Sequence, residues 1–141
     1  MCLPRLWEEM TSAALAEAET GDLVAVLPIA AVEQHGPHLP LGTDRIIADG
    51  FVARVIELLP DSLPAVFLPT VAVGRSGEHS SFPGTLAAGW DTFTRLLIEI
   101  GEAVNDAGID RMGVVNSHGR NVAAEDTAAL ELAIPRAITG G

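Results

Sequence analysis

Short apolar runs that alternate with helical patterns constrain this chain most. Three runs are rich in valine and isoleucine and are bounded by glycine, proline or aspartate, as buried strands often are: residues 23–29, 65–71 and 112–115. Four other stretches are predicted to be helices: residues 13–19, 46–59, 93–104 and 122–134. Strands joined through helices become parallel neighbours, so this order predicts a mostly parallel sheet between two layers of helices. The expected fold class is α/β, with a three-layer α/β/α architecture.

The predicted helices also carry predicted boundaries and faces. Asp44 is expected to be the N-cap of the second helix, and Gly108 the C′ residue after the third. The fourth helix is expected to stop near Pro135, because proline cannot continue a helix. Trp7 and Trp90 are expected to be packing residues. The second helix is expected to contact the sheet through one set of apolar side chains: Ile46, Ile47, Phe51, Val55, Ile56 and Leu59.

The composition argues against several classes of protein. With 48% hydrophobic residues in a length of 141, the chain is expected to form one folded domain over residues 1–141. Its 8 basic and 19 acidic residues give a net charge of −11, which argues against nucleic acid or an anionic membrane as partner. No apolar stretch reaches the roughly 18–20 residues of a membrane-spanning helix. Cys2 is the single cysteine and no secretory signal is recognisable, so a cytoplasmic location is expected.

A polar cluster follows each predicted strand. The three clusters occupy residues 33–44, 74–85 and 116–121. In open α/β sheets, ligands bind beyond the carboxyl ends of the strands, so these loops are expected to converge on one crevice. In the third cluster, Asn116 and Asn121 are expected to tie the turn together, because short amides readily bond to nearby backbone.

Two carboxylates and two imidazoles in these clusters form a candidate metal site: Glu33, His35, Asp44 and His118. Glu33 and His35 are two residues apart directly after a strand, which would send both side chains to the same side. Carboxylate oxygens and imidazole nitrogens suit Zn²⁺, Mn²⁺ or Fe²⁺. Such a set can hold two divalent ions if one carboxylate bridges them, and a bridged pair activates water for hydrolysis. Asp44 is the natural bridge, because it is the lone carboxylate on the far side of its loop.

The same clusters carry motifs that resemble the creatininase family of binuclear metal amidohydrolases. The motifs follow one another along the chain: Glu33-Gln34-His35-Gly36-Pro37-His38-Leu39-Pro40 with Thr43-Asp44, then Glu78-His79 with Phe82-Pro83-Gly84-Thr85, then Asn116-Ser117-His118-Gly119-Arg120-Asn121. The resemblance implies an α/β fold, a homo-oligomer that is often hexameric, and hydrolysis of a small cyclic or linear amide C–N bond by a metal-activated hydroxide. It also implies that Glu33, Asp44 and His118 bind one ion, and that His35 and the bridging Asp44 bind the other.

Two departures from the family pattern refine these expectations. Creatinine-hydrolysing members have a metal-binding acid two residues after the ligand histidine, where this chain has Arg120. The chain is therefore expected to be closer to branches that resemble a mycofactocin-associated peptidase or formamide hydrolases. Family members also continue into a segment around a His-Ala-Gly pattern that supplies a ligand and a catalytic histidine, so this chain is expected to be a truncated, N-terminal portion. The alternative is a catalytically inactive member that acts as a metal-binding or oligomer-forming module.

Four further residues of the clusters admit more than one interpretation. Glu78 and His79 are the candidate catalytic acid and base, or else they cap and brace their loop. His38 is expected to lock its loop through a hydrogen bond instead of binding metal. Arg120 could bind an anionic substrate, form a salt bridge with a nearby acid, or mark a decayed site. The salt bridge is the default, because a guanidinium near two dications is repelled unless a carboxylate intervenes.

Overall fold

The computed structural model describes residues 3–133, which form parallel strands and α-helices in alternation. In chain order the elements are α1 (Ser12–Ala16), β1 (Val24–Ile29), α2 (Thr43–Leu58), β2 (Ala65–Phe67), α3 (Trp90–Asp106), β3 (Arg111–Asn116) and α4 (Val122–Ala133). Short 3₁₀ turns lie at Trp7–Glu9, Gly77–His79 and Gly119–Asn121. This order agrees with the order predicted from the sequence.

The sheet has β1 at its centre, with β2 and β3 on either side. Val24 at the start of β1 is level with Ala65 of β2 and Arg111 of β3, and all pairs are parallel. At the other end of β1, Ile29 pairs with Asn116. The carboxyl ends of the strands therefore lie at one edge of the sheet, where the three polar loops begin.

Successive side chains of a strand point to opposite faces of the sheet. Both faces therefore carry apolar side chains, and helices cover them. On one face, Leu27 and Ile29 pack with Phe93 and Leu97 of α3, and all four are almost fully buried. Burial of side chains of this size contributes about 1.5–3 kcal/mol each. On the other face, Phe67 and Ala65 of β2 pack with Val52 of α2. The three-layer α/β/α fold is confirmed.

The face that α2 turns toward the sheet differs from the predicted face. Its buried residues are Asp44, Ala48 and Val52, with Val55, Ile56 and Leu59 packed partly behind them. The remaining three members of the predicted set are 60%, 59% and 57% exposed: Ile46, Ile47 and Phe51. Helical spacing in this segment fits two stripes of side chains about equally well, one through Ile47 and Phe51 and one through Asp44, Ala48 and Val52. The stripe that begins with Asp44 contacts the sheet.

The start of α2 also corrects the predicted N-cap. Gly42 is the N-cap, and Asp44 is the second residue of the helix. The Asp44 carboxylate cannot cap the helix, because its two oxygens face the side chains of His35 and His118. At the end of α3 the prediction is confirmed, since Gly108 follows the C-cap Ala107 with φ of 83°.

Two further predictions need correction. The second strand ends at Phe67 and not at Val71, because Pro69 has no N–H for the ladder, and Val71 rejoins β1 only as a single bridge to Ile29. Trp7 contacts the main core as expected, but Trp90 is 38% exposed and lies against the guanidinium of Arg75.

The predicted helix stop at Pro135 and the side chain of Cys2 lie outside the described residues. Among residues 3–133, none of the helices combines the length and the apolar character needed to cross a membrane.

Candidate metal centre

The three polar loops meet at the carboxyl edge of the sheet. Glu33 lies just beyond β1, Asp44 in the first turn of α2, and His118 just beyond β3. Ser117 links these elements, because its backbone N–H donates to Ile29 O at 3.0 Å and its hydroxyl donates to Asp44 O at 3.0 Å. The predicted convergence of the loops on one crevice is therefore observed.

Close contacts between side chains connect the four predicted ligands. His118 Nδ1 is 3.0 Å from Asp44 Oδ2 and 3.5 Å from Glu33 Oε1. His35 Nε2 is 3.2 Å from Asp44 Oδ1. Each oxygen of Asp44 thus faces one of the two imidazoles. Glu33 is common to two groups of possible ligands, one with His35 and Asp44 and the other with Glu78 and His118. Glu33 and Asp44 are both buried.

Backbone carbonyls fix the orientation of both imidazoles. His35 Nδ1 lies 3.0 Å from Glu33 O, and His118 Nε2 lies 3.0 Å from Arg75 O. A carbonyl only accepts hydrogen bonds, so the outer nitrogen of each neutral ring carries the proton and the inner nitrogen presents a lone pair. Metal-binding histidines are typically held in this way.

When both rings are neutral, the imidazole nitrogens and carboxylate oxygens that face one another in this cluster are therefore all hydrogen-bond acceptors. Two imidazole lone pairs point at two buried carboxylates, and Glu33 Oε2 is buried without a hydrogen-bond partner among the described residues. A cation or additional protons must lie between such groups for the arrangement to be stable. The nitrogen and oxygen donor set fits a divalent ion such as Zn²⁺ or Mn²⁺.

The environment of His35 shows the same demand for positive charge. The pKa of His35 is raised, first by the hydrogen bond to the backbone carbonyl of Glu33 and then by the nearby Asp44 carboxylate. The two carboxylates therefore stabilise positive charge at His35, whether a proton or a cation supplies it. A ligand histidine must be neutral, so a bound ion would replace that proton.

The loop that follows β2 places Glu78 and His79 against this cluster. Glu78 offers an oxygen that lies within 4.8 Å of ligand atoms of Glu33 and His118, so it is a further candidate ligand that was assigned only a catalytic role from sequence. Arg120 Nε lies 2.7 Å from Glu78 Oε1, which is the predicted salt bridge. The pKa of Glu78 is lowered, first by a hydrogen bond from its own backbone N–H and also by Arg120.

His79 lies at the rim of the site and is partly exposed. The Gln34 side-chain amide is 3.1 Å from His79 Nδ1, which fixes the ring if the amide donates to that nitrogen. His79 Nε2 is 3.9 Å from Glu33 Oε2. The structure thus brings both predicted catalytic residues next to the predicted ligands, with the histidine on the solvent side.

Asn116, Asn121 and Gly74 hold the loops in place. Asn116 Oδ1 accepts from His118 N at 2.9 Å, and the buried Asn121 bonds to Ala30 O and Arg75 N at 3.0 Å each. These bonds confirm the predicted bracing role of the two amides. Gly74 is needed because a Cβ there would lie 2.2 Å from Ala30 O.

His38 is not part of this centre. Its side chain is exposed, and it forms no hydrogen bond within the described part of the chain, so the predicted loop-locking bond is wrong.

Two contributions to the site were not predicted from the sequence: the Arg75 carbonyl that orients His118, and the Ser117 hydroxyl that ties the loop to Asp44. Backbone acceptors leave no sequence signal, but Ser117 lies inside the recognised motif.

Sequence comparison with known proteins identifies related chains. The sequence profile of creatininase, described as creatinine amidohydrolase, matches residues 8–138. A mycofactocin precursor peptide peptidase from Mycolicibacterium smegmatis is 43% identical over 103 residues, which are 72% of this chain and 41% of that protein. A creatinine amidohydrolase from Pseudomonas putida is 30% identical over 111 residues, which are 75% of this chain and 41% of that protein.

The fold is shared with a solved structure described as creatininase Mn. That structure aligns with a TM-score of 0.75 at 29% identity, covering 91% of this chain and 52% of the solved chain. The present chain thus spans less than half the length of the two curated relatives above and about half of the solved structure. Because the profile covers nearly the whole sequence and a solved creatininase shares the fold, the chain belongs to the creatininase family.

Proposed function

We propose that this chain is a divalent-metal-dependent amidohydrolase of the creatininase type that acts on a small cyclic or linear amide C–N bond. The observation that carries the proposal is the inward-facing set of acceptors on Glu33, His35, Asp44 and His118. The relatives named as an amidohydrolase and a peptide peptidase support the same reaction class.

Two divalent ions, Zn²⁺, Mn²⁺ or Fe²⁺, fit the donor set. Glu33, Asp44 and His118 would hold one ion, and His35 with the second oxygen of Asp44 would hold the other. When bound, the ions would supply Lewis-acid polarisation of the amide carbonyl and activation of water at neutral pH. Glu78 would add a further oxygen on the side of His118.

Glu78 and His79 would divide the proton transfers of the reaction. Arg120 holds Glu78 as a carboxylate, so Glu78 would accept a proton and not donate one, and its lowered pKa makes it a weak base. The Gln34 side-chain amide lies 3.1 Å from His79 Nδ1 and holds the ring with Nε2 toward the site. His79 would act as an imidazolium that gives its Nε2 proton to the leaving nitrogen and so becomes neutral, because that nitrogen must be protonated for the C–N bond to break.

Turnover assays on cyclic amides, formamides and short peptides test this proposal. Metal-loaded protein should hydrolyse at least one class, and removal of the ions by a chelator should abolish the reaction. His79→Ala should lower kcat by roughly 10²–10⁴-fold, the usual contribution of a general acid. His38→Ala is the matched control, because His38 lies on a neighbouring loop and is exposed. Bound metal without any turnover would instead identify a metal-binding module.

A further inference from the structure

Arg75 has an unusual environment for an arginine in this acidic chain. Five of the described arginines pair with carboxylates: Arg45, Arg54, Arg95, Arg111 and Arg120. Arg5 instead donates to three backbone carbonyls. Among residues 3–133, Arg75 therefore remains the arginine without a carboxylate or a set of carbonyls around its guanidinium.

The Arg75 backbone is fixed directly against the metal centre. Its N–H donates to Asn121 Oδ1 at 3.0 Å, and its carbonyl accepts from His118 Nε2 at 3.0 Å. Gly74 anchors the preceding residue by its close approach to Ala30 O. The Arg75 side chain thus starts from a backbone that is hydrogen-bonded to the predicted ligand His118 and has little freedom to move.

The guanidinium of Arg75 contacts its neighbours, but its N–H donors do not all have hydrogen-bond partners. Its central carbon lies 4.7 Å from the ring centroid of Trp90, which is a cation–π contact. Nη1 makes one long bond of 3.4 Å to Arg120 O, and Nε is buried without a hydrogen-bond partner within the described chain. The Nη1 end of the guanidinium is exposed, so a ligand can reach it from solvent. A guanidinium that has donors left over and an exposed end can receive a carboxylate.

We infer that Arg75 recognises a free carboxylate on the substrate, so that the hydrolysed amide belongs to an N-acyl amino acid or to the end of a peptide. This inference rests on the proposed function for its catalytic meaning, but carboxylate binding itself is independent of turnover. Arg120 is the less suitable cation for this role, because Glu78 already neutralises it. Trp90 provides an exposed aromatic surface beside the bound carboxylate.

Calorimetric titration with a matched pair of probes tests the inference. N-acetylglycine carries a free carboxylate, and N-acetylglycinamide is its neutral counterpart. Zinc-loaded protein should bind the carboxylate probe at least tenfold more tightly than the amide. Arg75→Met should reduce that ratio to about one, and Arg75→Lys should leave an intermediate ratio, because lysine keeps the charge but loses the fork. Arg95→Met is the control, since Arg95 is exposed and pairs with Glu99 on α3.

Metal content and metal-free titrations separate this inference from the proposed function. Metal content should be unchanged in Arg75→Met, because only the backbone of Arg75 contacts His118. If Arg75→Met keeps the tenfold preference, the metal ions carry it and the inference is wrong. It is equally wrong if the wild-type protein shows no preference or binds neither probe. If the protein binds no metal and yet shows an Arg75-dependent preference in metal-free titrations, the proposed function fails while the carboxylate site stands.

Discussion

The two faces of α2 reverse the usual relation between polarity and burial. On the inner face Asp44 is buried next to Glu33, whereas on the outer face Ile46, Ile47 and Phe51 are exposed. A buried pair of carboxylates requires positive charge nearby, and contiguous exposed apolar side chains often mark contact surfaces. Burial alone therefore does not identify the partner of a helix face. On the inner face, imidazole and carboxylate lone pairs at defined distances indicate a cation. On the outer face, exposed apolar side chains indicate only that a contacting surface would be apolar.

Asp44→Asn would give the largest effect on the inner face. The amide keeps the shape of the side chain but removes the charge and one acceptor atom between His35 and His118. We expect the affinity for Zn²⁺ to fall by more than about 100-fold, beyond the range found for residues that only support metal ligands. Titration calorimetry on the metal-free protein measures this change.

Asp49→Asn is the control for that substitution. Asp49 lies on the same helix but is exposed and pairs with Arg45 and Thr70. The affinity of the Asp49→Asn protein for Zn²⁺ should equal that of the wild type. Equal losses in both variants would mean that the charge of α2 as a whole, and not a ligand set, attracts the ion.

Gly74→Ala should damage the support of the inner face through packing. The new Cβ would overlap Ala30 O and the Asn121 side chain, so the loop carrying Arg75 must shift. We expect a loss of about 1–3 kcal/mol in the free energy of unfolding, as is typical when an extra methyl group is forced into a packed region. Urea denaturation measures it. Gly77→Ala in the same loop has no heavy atom within 4 Å of the new Cβ and should cost much less.

Phe51→Glu tests the outer face and the predicted homo-oligomer. Because Phe51 is exposed in the single chain, a charge there should change the unfolding free energy of dilute protein by no more than about 0.5 kcal/mol. If chains associate through α2, the same substitution should lower the sedimentation coefficient at high protein concentration. Leu130→Glu places a charge on an exposed leucine of α4 and serves as control. A sedimentation coefficient that responds to Leu130→Glu alone would exclude α2 as the contact surface.

Glu125→Gln should give the smallest effect. Burial raises the pKa of Glu125, and the nearby Asp126 raises it further, against the hydrogen bond from Asn116. The folded state then binds the proton more tightly than the unfolded chain, so this contribution to stability is present in acid and is lost as pH rises through the folded pKa. The variant should therefore raise Tm slightly at neutral pH and leave it unchanged in acid. Glu131→Gln, an exposed position on the same helix, should leave Tm unchanged at both pH values.

Much of the fold could be predicted because the strands are short apolar runs with distinct boundaries. The parallel order also placed Glu33, Asp44 and His118 correctly at one edge, since that placement depends only on connectivity. The buried face of α2 could not be predicted, because two apolar stripes of equal periodicity overlap there. Choosing between them required the knowledge that Asp44 belongs to a buried polar cluster.

The site could be predicted only as far as residue types and motifs reach. Which nitrogen of His35 or His118 faces inward depends on backbone carbonyls, which every residue possesses and no sequence pattern marks. The proximity of Glu78 to Glu33 and the unmet donors of Arg75 depend on how the loop after β2 bends back over the sheet edge. These features follow from tertiary packing and have no local signal.

Anomalous diffraction from crystals of this protein loaded with Zn²⁺ or Mn²⁺ would test the metal centre most directly. We expect two peaks about 3.5–4 Å apart, with Asp44 between them. One ion should be bound through Nε2 of His35 and the other through Nδ1 of His118, at about 2.0–2.1 Å for zinc. Peaks that lie only elsewhere, or binding through the outer ring nitrogens, would contradict the metal centre described for this chain.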